Sequence, residues 1–196
     1  MKKTLLIALA LIAVGCADAG QSAFCASLSQ ESSFEDVLPC AEQGNANAQY
    51  YLGFMYWTGQ FVPEDPEDDD EEAFRLFRSS AEQGNANAQY YLGRMYDIGQ
   101  FVPEDDEEAI RLYRSSAERG FVLAQFELGI RHASGFGVPE DIVLAYMFYN
   151  LAEAQGHDIS RGYKDTLEEQ MSTEQIAEAQ RLSREWIARI PEAGTS

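Results

Sequence analysis

The stretch AEQGNANAQYYLG occupies residues 41–53 and recurs letter for letter at residues 81–93. A related version, AERGFVLAQFELG, follows at 117–129, and GQFVPED at 59–65 and 99–105 returns as GFGVPED at 135–141. The start-to-start spacing is 40 residues and then 36. A catalytic centre has no use for a second copy of itself, whereas a stack of structural units does. Self-similarity at this period therefore predicts repeated supersecondary units.

Each unit reads as helical. Ala73, Leu76, Phe77, Ser80 and Ala81 fall at i, i+3, i+4, i+7 and i+8, one apolar stripe of a helix. Gly84, Gly120 and Gly156 end such stripes where a left-handed cap is needed, and Asn45 and Asn85, each directly after a glycine, suit the N-cap of the next helix. That second helix carries Ala88, Leu92, Met95 and Tyr96 in register and stops at Gly99. Gly53, Gly93 and Gly129 lie inside it, where each costs about 1 kcal/mol relative to alanine. Close approach of a neighbouring helix is the expected compensation. Asp69 and Asp105, with Glu72 and Glu108 three residues on, form capping-box arrangements. Single hairpins of this kind cannot bury both faces, so the units are expected to stack.

The order Ala88, Leu92, Gly93, Tyr96, Gly99, Val102, Asp105, Ala109, Tyr113, Ala117, Gly120 resembles the Sel-one-like repeat, a relative of the tetratricopeptide repeat, over residues 33–157. YMFYNLAEAQG (146–156) and MSTEQIAEAQRLSREWI (171–187) are similar to the way bacterial members finish. The resemblance implies an all-α fold, a right-handed α-solenoid of stacked helical hairpins with a C-terminal capping helix, and a role in binding protein or peptide partners without catalysis. The expected division is a signal peptide at 1–19, repeats over 20–157 (units at 33–68, 69–104 and 105–140, partial at 141–157), and capping helices with a tail at 158–196. In the closing segment Ser172 and Gln175 form a capping box, Ile176, Ala179, Trp186, Ile187 and Ile190 share a face, and Pro191 and Gly194 end it.

Three departures from the family pattern stand out. The second glycine of its Gly-x-Gly-Val loop is Phe61 and Phe101 in the first two units and Gly137 in the third, so the first two loops are expected to run differently. The first unit has a four-residue insertion, and its leading helix contains Pro39, expected to kink or restart it.

Thirty-three acidic residues oppose fourteen Lys and Arg, a formal net charge of −19, and outside the first three residues Lys164 is the only lysine. Such a chain repels nucleic acid, which needs clustered cations. Lys2 and Lys3 followed by an apolar run from Leu5 to Val14, too short to span a bilayer, read as an export signal. Two endings remain open. Ala17-Asp18-Ala19 fits cleavage to a periplasmic or secreted product, whereas AVGC at 13–16 resembles a lipoprotein signature in which Cys16 is lipidated, giving an outer-membrane lipoprotein. A lipid anchor is the only membrane attachment expected. Either ending leaves Cys25 and Cys40, an even pair in an oxidising compartment, read as a disulfide against the alternative of two buried thiols.

No cofactor or metal site and no catalytic residue is expected. There is no Ser-x-x-Lys, no His-Glu-x-x-His and no glycine-rich phosphate loop; His132 replaces Tyr56 and Tyr96 and reads as core, and His157 follows a turn glycine. An envelope hydrolase or penicillin-binding enzyme is the rival reading. A weak divalent-cation-responsive module is another, resting on EDPEDDDEE at 64–72, although the alternating aspartates and central glycine of a calcium loop are missing. The candidate partner contacts are Arg75, Arg78, Arg111 and Arg114, which repeat at the unit period, and Phe54 and Trp57, which become Arg94 and Asp97 in the next unit; the alternative for Trp57 is packing under the inserted loop or the N-terminal segment. The alternative for Arg75 and Arg111 is pairing with Glu71 and Glu107 along the helix.

Overall fold

The structure, a computed structural model, describes residues 21–59 and 69–190. The expected export signal with Cys16, the loop at 60–68 with Phe61 and most of the acidic run, and Pro191 and Gly194 lie outside the described residues. All regular structure among the described residues is helical. The chain divides into two compact units, one ending at Gln83 and one beginning at Gly84. Within each, helical hairpins pack in series, as the repeats imply.

In the first unit a short helical stretch at 21–26 precedes α1 (Phe34–Glu42), α2 (Ala46–Thr58) and α3 (Asp69–Glu82). Val37, Cys40, Ala41, Ala48, Leu52, Met55 and Leu76 form the core together with Cys25. Cys25 and Cys40 are disulfide-bonded, with Cα atoms 5.6 Å apart, tying the 21–26 stretch to α1. Closing a loop of that length contributes about 3 kcal/mol by limiting the unfolded chain. The helix does not restart at Pro39: α1 is continuous across it. Pro39 and Glu35 both face solvent, so the carbonyl of Glu35, deprived of its helical donor, is open to water. The helix is also started firmly, with the Ser33 side chain accepting from the Asp36 N–H.

The second unit comprises α4 (Ala86–Ile98), α5 (Asp106–Glu118), α6 (Val122–Ser134), α7 (Ile142–Ala154), α8 (Asp158–Glu168) and α9 (Thr173–Ile187). Its core includes Tyr90, Tyr113, Leu128, Tyr146, Phe148 and Leu151. The closing helix α9 starts with the full Ser172–Gln175 capping box and lies on α7, where Trp186 meets Phe148 edge-on at 5.2 Å. Ile187 does not join that face and is 52% exposed. The stripe set by Ala179, Ser183 and Trp186 follows the 3.6-residue period, and Ile187, one residue past Trp186, is turned away from it.

The local signals act as their chemistry dictates. The turn glycines Gly44, Gly84, Gly120 and Gly156 all take φ between 84° and 87°. Asn45 and Asn85 cap their helices by accepting from Ala48 and Ala88 N–H, each at 3.0 Å. Asp105 accepts from Glu108 N–H at 3.0 Å, but Glu108 does not close the box, because its carboxylate is engaged by Arg111. Asp69 is the first residue of α3, and its side chain lies outside the described residues. The mid-helix glycines mark close approach: a Cβ at Gly53 would stand 3.0 Å from the Phe77 ring, at Gly93 3.0 Å from Tyr113, and at Gly129 2.5 Å from Tyr149.

The loop with Phe101 does not run differently from its glycine-bearing counterpart. Phe101 adopts φ 65°, beside φ 68° for Gly137. Both loops close with the same bond, Asp105 N–H to Tyr96 O at 3.0 Å and Asp141 N–H to His132 O at 2.8 Å. The closing bond fixes the backbone path, and phenylalanine is carried into the left-handed region.

Candidate functional site: exposed arginines, a buried arginine and a groove

The four arginines of the periodic set are exposed on α3 and α5. Arg75 and Arg111 do not pair with Glu71 and Glu107. Arg75 Nε donates to Glu72 at 2.8 Å and Arg111 Nε to Glu108 at 2.7 Å, with a second nitrogen of each guanidinium on the same carboxylate. The planar fork of arginine meets a carboxylate bidentately, and the residue three positions earlier supplies that geometry in both units. Arg78 pairs with Glu82 at 3.1 Å. Pairs this exposed contribute little to stability, so they leave the arginines available at small expense. Phe54 and Trp57 are half-buried, and Trp57 stands edge-on to Phe77 at 6.1 Å.

One repeat further on, the layer around that aromatic pair becomes polar. Asp97 stands in place of Trp57, Tyr113 in place of Phe77, Glu127 in place of Tyr51 and Tyr91, and Arg131 in place of Met55 and Met95. The Arg131 side chain, 4% exposed, donates to Asp97, reaches Glu127 at 3.4 Å and Asp106 at 3.5 Å, and lies 5.5 Å over the Tyr113 ring and 4.9 Å over that of Phe136. The Tyr113 hydroxyl donates to the second Asp97 oxygen at 3.1 Å. Burial lifts Glu127 above the ordinary carboxylate range despite the neighbouring Arg131. Burial also pushes Tyr113 far up, and Asp97 adds to the shift. Burial opposes the charge on Arg131, but the bond to Asp97 together with the charges of Asp97 and Glu127 outweighs it and raises the guanidinium. The arrangement ties α4, α5 and α6 together and presents no group positioned to attack a substrate. Sequence reasoning passed over Arg131, although the change from Met to Arg within an otherwise matching register was visible.

A second feature was also missed. In the first unit the side chain of Gln49 accepts from Gln83 Nε2 at 2.8 Å and from Ser79 at 3.0 Å; between α6 and the end of α7, Gln125 accepts from Gln155 Nε2 at 2.7 Å. The residue equivalent to Gln83 and Gln155 in the middle repeat is Arg119. Its guanidinium turns toward Gly84, and a groove of about 470 Å³ opens beside it, lined by Gln89, Ser115, Glu118, Arg119, Trp186 and Arg189. Ser115, equivalent to Ser79, donates back to Arg111 O at 3.1 Å. The change from AEQG to AERG was the available signal.

His132 lies in the core, stacked on Phe148 at 5.8 Å, and burial holds its imidazole below the ordinary value. His157 packs on Phe126, ring centroids 4.5 Å apart, and its Nδ1 is 2.8 Å from the Ser160 hydroxyl. Among the described residues no helix is long and apolar enough to cross a membrane.

The family model for the Sel1 repeat matches residues 46–85, 86–121 and 122–157. These boundaries start each unit at α2, α4 and α6, another phase of the same periodic pattern. Among solved structures, c5321, a protective antigen of uropathogenic Escherichia coli strains displaying an SLR fold, is similar at TM-score 0.61 and 26% identity. The match covers 79% of this chain and 40% of c5321, so the present chain spans well under half of that protein. A Sel1 repeat protein from Oxalobacter formigenes is similar at TM-score 0.60 and 34% identity, covering 67% of this chain and 96% of that one. No curated protein matches this chain. Three consecutive repeat matches on serially packed helical hairpins show that the chain belongs to the Sel1 repeat family, a scaffold fold that typically mediates protein–protein interaction.

Proposed function

We propose that this chain is an exported, non-catalytic repeat scaffold that binds a protein or peptide partner through the arginine-bearing faces of α3 and α5, with the accessible edges of Phe54 and Trp57 as adjoining apolar contacts. The observation that carries the reading is the exposure of Arg75, Arg78, Arg111 and Arg114 at equivalent positions of successive repeats. Exposed arginines three positions apart on the first helix of each of two successive repeats offer paired cations suited to an acidic partner. Export is supported by the Lys2-Lys3 start with its apolar run and by the Cys25–Cys40 bond, which suits an oxidising compartment. Whether Cys16 is removed or lipidated decides between a periplasmic or secreted protein and an outer-membrane lipoprotein, and mass spectrometry of the mature N-terminus separates them.

The test is affinity capture after mild crosslinking in the native cell. The wild-type chain should retain a defined protein, and the variant carrying Arg75→Glu, Arg78→Glu, Arg111→Glu and Arg114→Glu, with unchanged helical content, should lose it. Equal capture by both would count against the arginine faces as the binding surface.

A further inference from the structure

The groove opened by Arg119 in the second unit has features that suit it to a specific kind of ligand. In the two other Gln–Gln pairings the same place is closed by an amide donating to the glutamine of the facing helix. Here the amide is replaced by a guanidinium, and Arg189, from the turn after α9, sits 5.3 Å over the Trp186 ring and lines the same groove. Among the described residues neither Arg119 nor Arg189 is ion-paired, whereas Arg75, Arg78, Arg111, Arg131, Arg161 and Arg181 all are. Arg94, Arg114 and Arg184 are likewise outside these pairs, but of the five only Arg119 and Arg189 line this groove.

From these observations we infer that the groove is a binding site for a carboxylate side chain, Asp or Glu, on an extended peptide segment of a partner protein. This rests on the scaffold reading and names the partner's chemistry at one site. The two guanidinium groups offer planar, bidentate donors that match a carboxylate. Trp186 and Ile190 provide an apolar wall for the aliphatic stem. Glu118 also lines the groove, so the local balance is one net positive charge, which suits a single carboxylate and disfavours a doubly charged phosphate. The groove adjoins Arg111 and Arg114 on the same helix, α5, whose Ser115 and Glu118 border both this groove and the next one along. A peptide lying across the α5 face would thus place one acidic residue between Arg119 and Arg189.

The experiment uses the full chain and a printed array of ten-residue peptides in which one Glu sits among varied neutral residues, each duplicated with Gln in its place. Wild-type protein should retain a subset of Glu peptides about tenfold more strongly than their Gln partners, the size expected for one charge-assisted recognition. Arg119→Gln, which restores the residue found at Gln83 and Gln155, and Arg189→Gln should each remove that preference without changing the melting temperature. Equal retention of Glu and Gln peptides by the wild type, or a preference that survives in the double variant, overturns the site. Capture of a whole protein partner by the double variant, together with lost Glu preference, leaves both the groove and the scaffold reading standing. Loss of the partner from the Arg75, Arg78, Arg111 and Arg114 variant alone concerns only the wider surface.

Discussion

Arg131 donates to Asp97 from a core position that Met55 and Met95 fill in the two preceding repeats, and its side chain is 4% exposed. A buried charge of this kind contributes little as a pair and much as a partner: removing one member strands the others in a poorly solvated site. Arg131→Met, although it installs the residue of the other repeats, should therefore cost about 3–5 kcal/mol in urea unfolding. Adding Glu127→Gln to that variant should recover part of the loss by removing a stranded charge. A destabilisation below about 0.5 kcal/mol, the range of ordinary surface changes, would contradict the network.

His132 gives the fold a component of acid sensitivity. Burial holds the folded imidazole below its ordinary value of 6.5, so below that value the unfolded chain takes up a proton that the folded chain resists. The associated stability is fully present above pH 6.5 and is lost as pH falls toward the depressed folded value. Comparing wild type with His132→Phe cancels other titrations: the wild type should weaken relative to the variant as pH drops below 6.5, with a constant difference above about pH 7.5. A difference independent of pH would show that His132 is not held neutral by burial.

Phe101 in the left-handed region stores strain that Gly137 avoids. Backbone strain of this type is worth about 1–3 kcal/mol, so Phe101→Gly should be more stable than Phe101→Ala by about 1 kcal/mol, because both lose the ring and only glycine relieves the backbone. Equal melting temperatures for the two variants would mean that the loop relaxes elsewhere.

The three interior glycines should not respond alike to alanine. Gly53→Ala and Gly93→Ala bring a methyl to 3.0 Å from an aromatic ring, but Gly129→Ala brings one to 2.5 Å from Tyr149, which is itself buried and contacts Tyr163. Overpacking costs about 1–3 kcal/mol; the Gly129 variant belongs at the upper end, and Gly53→Ala and Gly93→Ala are partly offset by gained helix propensity. Thermal unfolding of the three variants gives the order, and a Gly129 variant as stable as wild type would contradict the close helix contact.

What was legible in the sequence was the chemistry that acts over a few residues. Gly84 and Gly120 terminate helices, and Asn45, Asn85, Asp105 and Ser172 cap them, because each decision is made by a backbone group one to three positions away. Pro39 misled for the same reason: the rule against proline in a helix interior is local, whereas its tolerance depends on which side of α1 faces water. Phe101 misled in the opposite direction, since a closing bond from Asp105 to Tyr96 overrode the residue's own preference. Arg131 and the groove were not legible as sites. Their meaning depends on Asp97 and Glu127, or on Trp186 and Arg189, carried by different helices, and no spacing rule joins residues 97 and 131 or 119 and 189.

The central claim, a scaffold that binds its partner on the arginine-bearing faces, is tested most directly by site-specific photocrosslinking in the native cell. A photoreactive residue is placed singly at Arg75, Arg111 or Arg114, and as a control at Ile159, which is 62% exposed on α8. One and the same protein should crosslink from positions 75, 111 and 114 and not from 159. Crosslinking of that protein from 159 with equal yield, or from none of the three arginine positions, would contradict the account.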